Sequence, residues 1–300
     1  MTAQTNGLSG PVAPVVPFGE RLEQTFARHG QLCVGIDPHS WLLDDWNLPD
    51  SAAGAESFGR TVVAAAAGQA GIVKPQVAFF EKFGSAGYVA LERVLADARA
   101  AGLLVIGDAK RGDLGTSVEA YAEAWLTPGA PLEVDALTVH SYMGVGSLDA
   151  ALEVADRGGK GLFLLSATSN PEGAALQRAV VGEGVHQGSS VARAILDEVA
   201  ERNVRQSTSA LGSIGVVLGA TLDLASFGID VSDTPTEALT PVLAPGFGHQ
   251  GATPSQLVAL FGGYASGVIL SESRSILSSG PDRISEMIRH RVAEAGTARG

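Results

Sequence analysis

The most restrictive feature of this sequence is a short apolar run that recurs eight times, with helix-like segments between. The first, at 32–36, reads Leu-Cys-Val-Gly-Ile and stops at Asp37-Pro38. It has the form of a buried strand whose last residue meets solvent. The others fall at 72–76, 103–107, 134–139, 161–165, 215–218, 242–244 and 267–270, separated by amphipathic or alanine-rich stretches such as 58–69, 84–101 and 117–125. An open doubly wound sheet more often has five or six strands. Eight strand-helix units in a chain of this size predict a closed parallel barrel, of class α/β, the (β/α)8 TIM barrel.

Composition agrees with that reading. Hydrophobic residues make up 45% of the 300, enough for a sizeable core, while 38 glycines against four tyrosines favour many short turns over an aromatic-rich all-β fold. We expect one barrel domain over 1–300, with a polar N-terminal arm at 1–17, a helix beginning near Phe18 and a short flexible tail at 297–300. The arm has no hydrophobic run like that of a signal peptide, and no apolar stretch is long enough to span a bilayer. Cys33 is the only cysteine, so no intrachain disulfide or thiolate metal cluster can form. A soluble, cytoplasmic protein with no membrane partner is expected. The formal charge of −12 excludes nucleic acid as a general partner but leaves room for a small anion held by a local loop and one arginine.

The ends of the apolar runs are polar: Asp37, Lys74 with Gln76, Asp108 with Lys110, His140, Ser166 with Ser169, and the glycine-rich segment 246–251. In a barrel these positions converge on the C-terminal mouth, where active sites lie. Strand capping explains one or two of them, not the set. The densest group is Asp108-Ala109-Lys110-Arg111-Gly112-Asp113. In extended backbone Asp108 and Lys110 point to one side, about 6–7 Å apart along the strand. Gly112 permits a turn that brings Asp113 back towards the lysine, and Lys74 can add a second ammonium from the neighbouring strand. Ordinary ion pairing competes with catalysis as the explanation, but desolvation makes a buried charge network an inefficient way to stabilise a fold.

The run 105–115, Val-Ile-Gly-Asp-Ala-Lys-Arg-Gly-Asp-Leu-Gly, closely resembles the signature of orotidine 5'-monophosphate decarboxylases, in particular a bacterial subgroup with arginine and glycine between the lysine and the second aspartate. Further elements follow in the order of that family: 35–38 (Gly-Ile-Asp-Pro), 73–76 (Val-Lys-Pro-Gln), 168–171 (Thr-Ser-Asn-Pro), 245–251 (Pro-Gly-Phe-Gly-His-Gln-Gly) and Ser273-Arg274. The resemblance implies a (β/α)8 homodimer that needs no cofactor and no metal, converting orotidine 5'-monophosphate to uridine 5'-monophosphate and carbon dioxide in the last step of de novo pyrimidine nucleotide synthesis. It implies Lys110 as the group that stabilises and protonates the C6 carbanion, with Asp108, Asp113 and Lys74 completing the catalytic charges. Asp113 is the residue expected to reach the partner's site, with Ser117 near the same interface.

For substrate binding, the resemblance implies that Ser169 reads the amide edge of the pyrimidine and that Gln250 links it to the phosphate loop. Asp37 is expected to orient ribose hydroxyls. Gly246, Gly248 and Gly251 can turn backbone N–H groups towards an anion, and Arg274 can donate paired hydrogen bonds to phosphate. His39, His140 and His249 carry no metal-ligand spacing, and Ser166 is as well explained by ending a strand. The segment 170–187 reads as a lid or a solvated insertion. Two other functions fit the same barrel: a magnesium-dependent 3-keto-gulonate 6-phosphate decarboxylase, and a non-catalytic nucleotide sensor.

Overall fold

A computed structural model describes residues 15–232 and 237–297. The expected arm therefore lies outside the described residues except for 15–17, which run without regular structure into a helix at Phe18–His29. Of the expected tail, only Thr297 is described, as the last residue of the helix Ile284–Thr297.

Eight parallel strands close on one another in sequence order: β1 (Leu32–Ile36), β2 (Ile72–Pro75), β3 (Leu104–Arg111), β4 (Ala136–Val139), β5 (Gly161–Ala167), β6 (Ile214–Leu218), β7 (Val242–Pro245) and β8 (Val268–Glu272). The ring is completed by β8 pairing with β1. This is the expected (β/α)8 barrel. The helices Ala52–Ala66, Gly84–Ala100 and Gly115–Leu126 fall close to the predicted segments. No described helix is long and apolar enough to cross a membrane.

Two apolar clusters result from the two-residue period of the strands. Outward-facing residues such as Val34, Val73, Val105 and Leu137 pack under the helices. Inward-facing residues such as Cys33, Ile72, Leu104, Ile106 and Phe163 fill the barrel. Phe18, Leu22 and Phe26 of the first helix join the inner cluster, and the Phe18 ring meets Phe163 edge to face at 5.9 Å. That helix is a plug for the N-terminal end of the barrel. It is held by an ion pair from Arg21 to Asp135, whose other oxygen accepts the Val105 N–H at 2.8 Å. With that end stoppered, the inner faces are open to a ligand at the C-terminal end.

The principal departure from the sequence reading is in β3. The apolar run predicts a strand ending at 107, but β3 continues through Asp108, Ala109, Lys110 and Arg111. Its register against β4 shifts between Gly107, opposite Leu137, and Arg111, opposite Val139. Lys110 lies in that irregularity with φ +49°, a conformation uncommon for a residue with a Cβ. Polar side chains hold the extension, so apolar patterning could not mark it.

Candidate active site

Following the inner face of β3 upward, Leu104 and Ile106 give way to Asp108 and Lys110, and on β2 Ile72 gives way to Lys74. The change from apolar to charged along one face builds a charged wall at the mouth. Lys74 Nζ donates to Asp108 Oδ2 at 2.7 Å, and Lys110 Nζ donates to Asp108 Oδ1 at 2.5 Å. Gln76 Nε2 also donates to Oδ2, at 3.2 Å. Burial alone would raise the Asp108 pKa, but the charges of Lys74 and Lys110 outweigh it and hold the carboxyl well below the usual range. Burial would likewise neutralise Lys74, yet Asp108 and Asp37 keep its pKa above the ordinary lysine value. Both groups are therefore charged at neutral pH.

These groups line a cavity of about 440 Å³. Leu165, Val217 and Leu243, the inward residues of β5, β6 and β7, form the opposite, apolar wall. Low polarity on that side strengthens charge interactions within the cavity. At the end of β1, Asp37 Oδ2 accepts from the Ser273 hydroxyl at 2.5 Å, whereas its buried Oδ1 has no hydrogen-bond partner. A buried carboxylate oxygen that the chain leaves unpaired beside a cavity is unusual and calls for a reason beyond packing.

Arg274 follows β8 and faces the same cavity. Among the described residues it has no carboxylate partner, unlike Arg291, which pairs with both Glu272 and Glu294. In a chain carrying −12, an unpaired guanidinium in a concave site marks a place for an anion. His39 stands nearby, its ring 4.1 Å from that of Phe79. Burial holds its imidazole below the usual pKa, with Arg274 and Lys82 adding to the shift against the pull of Asp37.

Asp37, Lys74, Asp108, Lys110, Ser169, Gly246, Gln250 and Arg274 thus meet in one cavity, as expected. Gly248 and Gly251 do not line it. Their N–H groups donate to Ala252 and Gly248 carbonyls at 2.9 and 3.0 Å, and their φ values of +72° and +106° give the loop its turns. They shape the loop, while Gly246, Phe247, His249 and Gln250 face the ligand space.

Asp113 also stands apart from the charged trio. Its Oδ1 accepts the Leu114 N–H at 2.8 Å, and no ion pair joins it to Lys74 or Lys110 among the described residues. The turn expected at Gly112 does not bring Asp113 back to the lysine within the protomer. Gly112 has an ordinary φ; the ring of His140 is what excludes a side chain there, since a Cβ would lie 2.4–2.6 Å from it. Ser117 is exposed in the first turn of the helix Gly115–Leu126.

Ser166 faces outward and donates to the Ala192 carbonyl at 2.8 Å, a structural bond. The start of the segment 170–187 is folded onto the site: Asn170 lines the cavity, and Gln177 exchanges hydrogen bonds with the N–H and hydroxyl of Thr168 at 3.0 and 2.7 Å. Sequence reasoning assigned no role to Thr138, His39 or the apolar wall. Thr138 had a legible signal, as the one hydroxyl in the apolar run of β4, at an inward position one step before its end. The apolar wall had none, because an inward leucine reads as core until the cavity is seen. Among the described residues, no three His, Cys, Asp or Glu side chains are grouped to hold a metal ion.

Comparison with known proteins gives concordant matches. The profile of the orotidine 5'-phosphate decarboxylase / HUMPS family matches residues 30–285. An orotidine 5'-phosphate decarboxylase of Streptomyces coelicolor is 49% identical over 267 residues, covering 89% of this chain and 91% of the relative. One from Corynebacterium glutamicum is 44% identical over 274 residues, covering 90% and 93%. Among solved structures, a Streptomyces avermitilis protein assigned to the same activity superposes with a TM-score of 0.87 at 44% identity, covering 97% of this chain and 99% of that one. The OMP decarboxylase of Leishmania donovani gives 0.72 at 27% identity, covering 95% and 99%.

Proposed function

The chain belongs to the orotidine 5'-phosphate decarboxylase family and is a carbon–carbon lyase of that kind, and we propose that Lys110 is the group that makes its reaction possible. The observation that carries this reading is the Lys74–Asp108–Lys110 trio in the wall of the cavity, facing apolar residues. When the bond from C6 to the carboxylate breaks, its electron pair stays in the plane of the pyrimidine ring, where no carbonyl can delocalise it. An ammonium beside C6 stabilises that charge and then supplies the proton that yields uridine 5'-monophosphate. Carbon dioxide is neutral, so the wall of Leu165, Val217 and Leu243 suits it better than the carboxylate it comes from. Asp108 repels that carboxylate. Both effects favour the transition state only as far as they differ between it and the bound substrate.

Binding follows the other groups. Asp37 takes ribose hydroxyls, Arg274 and the 246–251 loop take the phosphate, and Ser169 with Gln250 reads the base. The run 108–113 aligns the chain with the bacterial subgroup in which arginine and glycine separate the lysine from the second aspartate. Turnover needs no cofactor in this reading, and a chain with a single cysteine, which can form no internal disulfide, suits a reducing cytoplasm. Orotidine 5'-monophosphate should therefore be decarboxylated in chelator-treated buffer, followed by its ultraviolet absorbance. Magnesium-dependent turnover of 3-keto-gulonate 6-phosphate in its place would overturn this assignment, as would tight uridine monophosphate binding without release of carbon dioxide.

The active unit is a homodimer in this reading, with Asp113 and Ser117 contributing to the partner's site. Next to Asp113 in the chain, Leu114 is 57% exposed, an apolar side chain that a partner would cover. A mixing experiment isolates the role of Asp113. Lys110→Ala and Asp113→Ala homodimers should each be nearly inactive, and subunit exchange between them should restore turnover, because one site of the mixed dimer has native Lys110 and native Asp113. Failure of exchange to restore activity in demonstrably mixed dimers would place Asp113 within its own subunit's chemistry.

A further inference from the structure

Thr138 sits on β4 at the point where β3 loses its register, and it is 1% exposed. Its hydroxyl donates to Asp108 Oδ1 at 3.0 Å and accepts the backbone N–H of Lys110 at 3.0 Å. One oxygen thus links the carboxylate that pairs with Lys110 to the backbone that carries Lys110. That backbone stands at φ +49°, a strained conformation for a residue with a side chain, which persists only where the surroundings fix it. The bulge displaces Lys110 from the regular β3–β4 ladder, and the threonine hydroxyl supplies its N–H with an acceptor. Asp108 Oδ1 in turn receives both Thr138 and Lys110 Nζ, so the direction of the ammonium and the twist of the strand are set at the same two atoms.

We propose that Thr138 is a positioning residue for decarboxylation, holding Lys110 in its left-handed backbone state so that the ammonium stands at one place in the cavity. The inference rests on the reading that Lys110 serves C6. Lys110 itself is the most exposed of the three charged groups, its side chain 46% accessible against 9% for Asp108 and Lys74. Packing therefore does little to fix the lysine, and what fixes it is the bonding of its two ends. Without the hydroxyl, the N–H of Lys110 loses its acceptor and Asp108 loses one of its donors. The strand can then relax towards an ordinary φ, which swings the side chain. A proton donor misplaced by about 1 Å can lose about 100-fold in rate while the substrate binds as before.

The test is Thr138→Val, which keeps the shape and removes the hydroxyl, beside Thr138→Ser, which keeps the hydroxyl. Each is assayed for kcat and KM with orotidine 5'-monophosphate and for uridine 5'-monophosphate affinity by calorimetry. The expected result for Thr138→Val is a loss of about 10- to 100-fold in kcat, with product affinity within about 3-fold of wild type, a change under 1 kcal/mol. Thr138→Ser should recover most of kcat. A Thr138→Val enzyme with wild-type kcat would overturn the proposal, as would parallel loss of kcat and product affinity, or a serine variant no better than valine. Wild-type activity and the Lys110→Ala defect are measured alongside. If both are as expected and Thr138→Val is normal, only the role of Thr138 fails; if wild type does not decarboxylate the nucleotide, the functional assignment fails and this role with it.

Discussion

Lys110→Ala is expected to lower kcat by at least about 1,000-fold while changing uridine 5'-monophosphate affinity by less than about 10-fold. A unit charge interacting at 4 Å in a medium of effective dielectric 20 is worth about 4 kcal/mol, nearly three powers of ten in rate if it acts only on the transition state. Loss of the proton donor adds to this, since positioned general acids typically contribute about 100-fold or more. Removing the ammonium also leaves Asp108 with Lys74 as its remaining cationic partner, so the carboxylate stays ionised and faces the substrate without its second counter-charge. Single-turnover measurements with saturating nucleotide check the split between chemistry and binding. A variant that keeps nearly full turnover would remove Lys110 from the proton-transfer step. Lys74 and Asp108 do not confuse the measurement through their own titration. Asp108 is held ionised to below the ordinary carboxyl value and Lys74 charged to above the ordinary lysine value, so neither changes state between about pH 5 and 9.

Arg274→Ala is expected to raise KM for orotidine 5'-monophosphate by about 100-fold, with kcat at saturation reduced by less than about 10-fold. Charge-assisted hydrogen bonds contribute about 1.5–3 kcal/mol each, and a guanidinium can make two to one phosphate. Nothing in the described chain competes for this arginine, so the whole effect should appear as lost ligand affinity. Orotidine, which lacks the phosphate, provides the control. Its weak turnover should be nearly indifferent to the substitution, and equal losses on nucleotide and nucleoside would show that Arg274 supports the fold of the site instead of binding phosphate. The two substitutions thus divide the cavity between the β2–β3 wall, which changes the barrier, and the end of β8, which changes occupancy.

Much of this site was legible in advance because a barrel has simple rules. Strand period and element count predict that residues at the ends of apolar runs converge, which groups Asp37, Lys74, Asp108, Lys110 and Ser169 from spacing alone, while Arg274 joins them through the family resemblance. Of the glycines expected to face the ligand in the 246–251 segment, Gly246 lines the cavity, while Gly248 and Gly251 turn the loop away from it. Which N–H faces outward depends on φ values at Gly248 and Gly251 and on their carbonyl partners, and composition carries no record of these. Whereas the hydroxyl of Thr138 stood out in its apolar run, the wall residues Leu165, Val217 and Leu243 were hidden for a related reason. Their inward direction follows from the strand period, but whether an inward residue meets core or cavity depends on where the barrel filling stops.

By itself the sequence determined the eightfold alternation, hence the closed barrel, and the chemical identity of the groups at its mouth, because both depend on residue type and on spacing within single elements. The tertiary structure decided the rest. It extended β3 past the apolar run, put Lys110 at φ +49° and coupled it to β4 through Thr138. It also kept Asp113 apart from the trio, bonded to the N–H of the exposed Leu114. These outcomes depend on contacts between strands about 30 residues apart and on the register they settle into. Register is a property of the closed ring, fixed by the packing of all eight strands together and encoded in none of them alone.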